Sequence, residues 1–210
     1  AAPMKTTRLP GLHYWSAYQP DRRIDFNGFF LEGLAGGVLI DPLPLDAAQL
    51  EFVRSRGGAR WILLTNADHW RDSARLKREL GARLCAPAAE RERLAARAAD
   101  VSDWFSAEQP LPRELTEGLE VHWLGGGKSP AEAVFVAKRL NAVFFGDAVR
   151  SHESGTLRLL PPEKLSAPAV LHQDLRPLLE RPFEAVLLGD GDNLLTGAAG
   201  ALSNLARRLA

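Results

Sequence analysis

Short runs of β-forming residues that stop abruptly in a polar turn recur through this 210-residue chain, and no other feature restricts its fold as much. Trp61-Ile62-Leu63-Leu64 runs into Thr65-Asn66-Ala67-Asp68-His69-Trp70-Arg71-Asp72, Phe145 runs into Gly146-Asp147, and Ala185-Val186-Leu187-Leu188 runs into Gly189-Asp190-Gly191-Asp192. Apolar runs this short read as strands buried on both faces, which require covering layers on each side. After Asp72, Ala74, Leu76 and Leu80 fall on one side and Arg75, Lys77, Arg78 and Glu79 largely on the other, the pattern of an amphipathic helix. Ionisable residues crowded between a buried strand and a helix start are where α/β proteins hold ligands. The plainer account has Asp68 and Asp72 capping the helix and His69 on the surface.

The rest of the chain fits the same layered plan. Residues 12–19 and 23–32 pair as a hairpin about Pro20-Asp21, and a strand follows at 37–41. Asp46 is the N-cap of a helix reaching about Arg56, which Gly57-Gly58 ends. A strand at 82–86 carries Cys85, and Pro87 precedes a charged helix at 88–98. Residues 100–117 connect two halves, about 4–99 and 118–210, of a single domain spanning 1–210. The second half has strands at 119–124, 132–137 and 142–145, with Gly125-Gly126-Gly127 after the first of them. A connection of roughly 20 residues, 146–166, is long enough to suggest a functional loop. A helix at 168–180, kinked or stopped near Pro177, a strand at 184–188 and a helix at 197–209 complete the order.

Composition narrows the function. Lys plus Arg equals Asp plus Glu at 26 each, so no overall field favours nucleic acid or an anionic membrane. One cysteine excludes an intramolecular disulfide, no apolar run approaches the roughly 18 residues of a membrane span, and the N-terminus lacks the layout of a secretion signal. The expectation is a soluble, cytoplasmic protein with a small-molecule ligand and no nucleic-acid or membrane partner. Ala1-Ala2-Pro3 ahead of Met4 has the composition of a cloning remnant.

With Phe26-Asn27-Gly28-Phe29-Phe30-Leu31 and Val38-Leu39-Ile40-Asp41-Pro42 added to the three strand–turn junctions, the chain resembles the metallo-β-lactamase superfamily of hydrolases over nearly its whole length. The resemblance implies an α/β fold, a four-layered αβ/βα sandwich with the active site at one edge. The family's site reads Thr-His-x-His-x-Asp-His after a strand, then Gly-His-Thr-Pro-Gly, Gly-Asp and Gly-His-Gly, and holds one or two metal ions. Here the matching positions read Asn66, Asp68, Trp70 and Arg71, then Lys128 in Gly127-Lys128-Ser129-Pro130-Ala131, then Asp147, then Asp190.

The candidate catalytic group is therefore Asp68, His69, Lys128, Asp147 and Asp190, with Arg71, Arg150 and His152 as ligand-binding residues. Zinc prefers imidazole and thiolate, whereas this set offers three carboxylates and one imidazole, His69, off the matching register. It also brings cations to ligand positions, and at about 4 Å a like charge costs several kcal/mol even at an effective dielectric near 20. The expectation is a metal-free pocket in which Lys128 and Arg71 neutralise Asp68, Asp147 and Asp190 and a small anionic metabolite binds. The alternative is a single divalent cation such as Mg²⁺, Mn²⁺ or Ca²⁺ on Asp68, Asp147 and Asp190, which His69 joins if the first loop shifts by one residue. It would activate water against an ester, thioester or phosphoester. His69 or His152 would serve as acid or base near neutrality, and Ser129 is a further nucleophile candidate. Arg150 either meets the ligand's anion or pairs with a pocket aspartate.

Overall fold

Alternate residues of the buried strands face opposite ways, and that parity builds the layers. The computed structural model describes residues 3–209; Ala1 and Ala2 of the supposed remnant, and Ala210, lie outside the described residues. One sheet takes its seven strands in sequence order: β1 (Lys5–Thr6), β2 (Leu12–Gln19), β3 (Ile24–Leu31), β4 (Val38–Ile40), β5 (Trp61–Leu63), β6 (Arg83–Pro87) and β7 (Asp103–Phe105). The second begins with β8 (Leu119–Leu124), β9 (Glu132–Ala137) and β10 (Ala142–Phe145). Next come a two-stranded ribbon of β11 (Val149–Glu153) and β12 (Thr156–Leu159), and then β13 (Ala185–Leu188), which rejoins the second sheet in the order β13-β10-β9-β8.

The two sheets bury one face of each strand against each other. Ile40, Trp61 and Leu63 of the first sheet meet Phe135, Phe144 and Leu187 of the second, with Cys85 in the same layer. The opposite parity faces helices. Leu39, Ile62 and Leu64 pack with Leu50 and Val53 of α1 (Ala47–Ser55) and Leu76 of α2 (Ser73–Leu80). After the short α3 (Arg113–Thr116), the helices α4 (Pro168–Leu179) and α5 (Ala198–Arg208) cover Val143, Val186 and Leu188 on the far side. The result is the αβ/βα sandwich. No helix among the described residues is long and apolar enough to cross a membrane.

Asp46 caps α1 through a capping box with Gln49. Four expectations about secondary structure need correction. The supposed helix at 88–98 is instead 3₁₀ turns at Ala88–Glu90 and Ala95–Asp100. Leu94 is its one buried apolar side chain, and a helix without an apolar stripe has nothing to pack on. The long loop after Asp147 is the ribbon β11–β12, reversed at Gly155 with φ +81°. The connection at 100–117 contributes the edge strand β7, parallel to β6. Pro177 does not stop α4 either, because Leu178 and Leu179 beyond it are buried.

Phe144 joins the layers, its ring 5.2 Å from that of Phe29 and edge-on at 82°. Phe144→Ala should therefore cost about 3–5 kcal/mol of unfolding free energy, read as a lower midpoint in guanidinium denaturation.

Candidate functional site

The C-terminal ends of β4, β5, β10 and β13 meet at one edge of the sandwich. Asp41, directly after β4, is buried at φ +46°, a left-handed conformation that aspartate tolerates better than most residues. Its carboxylate accepts from the Thr65 backbone N–H at 2.9 Å and the Thr65 hydroxyl at 2.6 Å, and lies 2.7 Å from His69 Nδ1. The turn after β5 is a 3₁₀ helix, Ala67–His69, capped by the Asn66 side chain. At three residues per turn, Asn66 and His69 share a face while Asp68 is rotated away from it. His69 is buried and Asp68 is exposed.

Two glycines allow the second sheet to come this close. A Cβ on Gly146 would lie 2.4 Å from Thr65 Oγ1, and one on Gly189 2.5 Å from His69 Cε1. The residues that follow them, Asp147 and Asp190, thus reach the imidazole. His69 Nε2 is 3.2 Å from Asp147 Oδ1 and 3.9 Å from Asp190 Oδ1, and one ligand-type atom from each of the three residues lies within 4.8 Å of the others. These are the atoms that could share a cation.

Two guanidiniums flank the same carboxylates. Arg150 Nη2 is 3.2 Å from Asp190 Oδ2 and 3.7 Å from Asp147 Oδ1. Arg71 Nη2 is 3.6 Å from Asp190 Oδ1, and the group also donates to the carbonyls of Asn27, Asp41 and Gly189 at 2.5, 2.7 and 3.1 Å. Glu132 lies beneath, accepting from the backbone N–H groups of Asp147 at 2.9 Å and Ala148 at 3.2 Å.

The charges set one another. Burial lowers the His69 pKa, but Asp147 and Asp41 outweigh it, against Arg71, and push it up to about 10. Burial raises the Asp147 carboxyl, yet the His69 charge and hydrogen bond hold it well below the usual range. Asp190 moves up, through burial and the neighbouring Asp147 charge. Burial, with Asp147 second, pushes Glu132 up to about 8.

Of the residues expected to form one site, the structure therefore brings together His69, Asp147, Asp190, Arg71 and Arg150. Asp68 and Lys128 stand apart. They pair with each other at 2.5 Å on the surface, where Arg93 also meets Asp68 at 2.7 Å. Of the expected neutralisation of Asp68, Asp147 and Asp190 by Lys128 and Arg71, the structure pairs Lys128 with Asp68 and Arg71 with Asp190, and the cation that reaches both Asp147 and Asp190 is Arg150. His69 points inward although the motif register leaves it out. Trp70 packs in the outer core, and Asp72 occupies the N-cap position of α2 with no side-chain cap bond, pairing with Arg75 at 2.7 Å. His152 is exposed on β11, and Ser129 is buried. Asp41 and Glu132 were missed as site residues. Asp41 carried a signal, since Val38-Leu39-Ile40-Asp41 is one more apolar run ending in a polar residue; Glu132 opens a strand and carried none.

A family profile described as the metallo-beta-lactamase superfamily matches residues 4–209. No curated protein is significantly similar in sequence. The solved structure of DIM-1 metallo-β-lactamase exposed to ceftazidime is similar with a TM-score of 0.74 and 15% identity over all of both chains. A metallo-β-lactamase from Hirschia baltica gives 0.68 and 17%, covering 97% of this chain and 98% of its own. The mono-zinc form of FIM-1 from Pseudomonas aeruginosa gives 0.70 and 14%, covering 99% and 95%. At these identities the structural likeness is one of fold. Carried by the profile across almost every residue, the chain belongs to the metallo-β-lactamase superfamily.

Proposed function

We propose that this protein works without zinc, a buried ion network standing where its superfamily keeps metal, and that it binds a small anionic metabolite with little or no zinc-dependent hydrolysis. The observation that carries this reading is the pair of guanidiniums on Asp147 and Asp190. Together with the His69 imidazolium they match Asp41, Asp147 and Asp190 charge for charge, so the cluster is compensated by the chain itself. A zinc pair fits these residues poorly. Asn66 caps a turn, Asp68 faces solvent, Trp70 is core and Arg71 brings a positive charge to the cluster. A cation placed between Asp147 and Asp190 would meet Arg150 at close range, where like charges cost several kcal/mol at about 4 Å.

One observation favours a second reading, a hydrolase of esters, thioesters or phosphoesters that uses one divalent cation on His69, Asp147 and Asp190. Asp190 Oδ1 is buried without a hydrogen-bond partner among the described residues, and a bound ion would satisfy it. Elemental analysis of protein purified without chelator separates the two. The metal-free reading expects substoichiometric metal and no rise in Tm or esterase activity on adding Zn²⁺ or Mn²⁺. Stoichiometric metal that disappears in Asp147→Asn would establish the second reading instead.

The network also sets the pH dependence of stability. His69, raised from 6.5 to about 10, contributes fully below pH 6.5 and loses that contribution as pH climbs toward 10. Glu132, raised from 4.5 to about 8, acts in the same sense over its own range. Asp147, depressed, contributes above its ordinary value of 3.8 and loses it as pH falls further. Tm should peak at about pH 4, between the ordinary values of Asp147 and Glu132, and fall on the alkaline side. In His69→Gln the fall above pH 6.5 should flatten in calorimetric scans, leaving the Glu132 part.

A further inference from the structure

A cleft of about 240 Å³ opens beside the buried network, between the β2–β3 turn and the β11–β12 ribbon with the turn that follows it. Its lining is Arg22, Arg150, His152, Arg158, Pro161 and Lys164: four cationic side chains, one histidine and no carboxylate. Among the described residues Arg22, Arg158 and Lys164 have no ion-pair partner. Arg22 lies over the Phe26 ring at 5.5 Å, which steadies it without using its charge. Arg150 forms the inner wall. Its side chain is 9% exposed, one nitrogen is engaged with Asp190, and its Nε–H is buried with no acceptor. An orphaned guanidinium donor at the wall of an all-basic cleft is an incomplete site.

We infer that this cleft holds a phosphate group, free or carried by a small molecule, gripped by Arg158, Lys164 and Arg22 and met from within by Arg150. The charge count selects phosphate over carboxylate. A monocarboxylate would offset only one of the three positive charges, on Arg22, Arg158 and Lys164, that no ion pair meets among the described residues, whereas a phosphate monoester or diphosphate brings two or more charges and enough acceptor oxygens for several guanidinium forks. His152 agrees: burial, then Arg158 and Arg150, hold its pKa below the ordinary value, so the unliganded cleft keeps it neutral with one N–H free to donate. The inference rests on the metal-free reading, because it assigns the anion to guanidinium and ammonium groups rather than to an ion.

Isothermal calorimetry on the full chain with pyrophosphate, inorganic phosphate, glycerol phosphate and, as a carboxylate control of similar charge, citrate tests it. Pyrophosphate or glycerol phosphate should bind saturably and more tightly than citrate, with affinity down about tenfold for each of Arg158→Ala and Lys164→Ala and Tm unchanged. Preference for glycerol phosphate over inorganic phosphate would point to a phosphorylated metabolite, and the reverse to free phosphate; either supports the assignment. Citrate binding as tightly as pyrophosphate, or affinity unchanged in both variants, would overturn it. Metal content of the same samples is read separately. Stoichiometric metal defeats the metal-free reading whatever the calorimeter gives, and absent or variant-insensitive binding in metal-free protein defeats the cleft alone.

Discussion

Carboxylates taken out of water persist as anions only where positive charge is brought to them, and this protein brings it from its own chain. The contact on which the arrangement turns is Asp41 with His69 at 2.7 Å. Holding Nδ1 aims the other ring nitrogen at Asp147, so one imidazole bridges a carboxylate from each sheet. Buried ion pairs of this kind add little net stability, since desolvation offsets most of their attraction. What they supply is geometry: through His69 and Arg150 the network ties Asp41 at the edge of the first sheet to Asp147 and Asp190 at the edge of the second.

That arrangement depends on backbone as much as on charge. Gly146 and Gly189 remove the side chains that would hold the sheets apart at this edge, and the left-handed Asp41 turns its carboxylate back toward Thr65. Asn27 closes the same edge from β3, its amide donating to the carbonyls of Leu188 and Gly191 at 2.8 Å each. Strand ends that would otherwise leave unpaired backbone groups are tied into the polar cluster.

The layers were legible in the sequence because parity and burial coincide. Each short apolar run places alternate residues on the inter-sheet and helix-facing sides, as Ile40 and Leu39 or Phe144 and Val143 do. Asp147 and Asp190 were legible as residues just past such runs. What misled was the turn after β5. Matching by motif position pointed Asp68 inward and His69 outward, but the 3₁₀ geometry set by the Asn66 cap reverses them. The pairing of Asp68 with Lys128 and Arg93, and the use of Glu132, link residues far apart in sequence with no local pattern to announce them. The ribbon β11–β12 was hidden for a different reason: its strands are half polar and its turn signal is only Ser154-Gly155.

Cys85 gives the molecule a chemical clock. It lies fully buried between the sheets, and burial together with Asp103 pushes its thiol well above the ordinary value. Thiolate is the reactive form, so alkylating reagents have no target while the layers stay closed. With no second cysteine to confuse the signal, the rate at which the sulfur becomes labelled reports how often the two halves of the sandwich part.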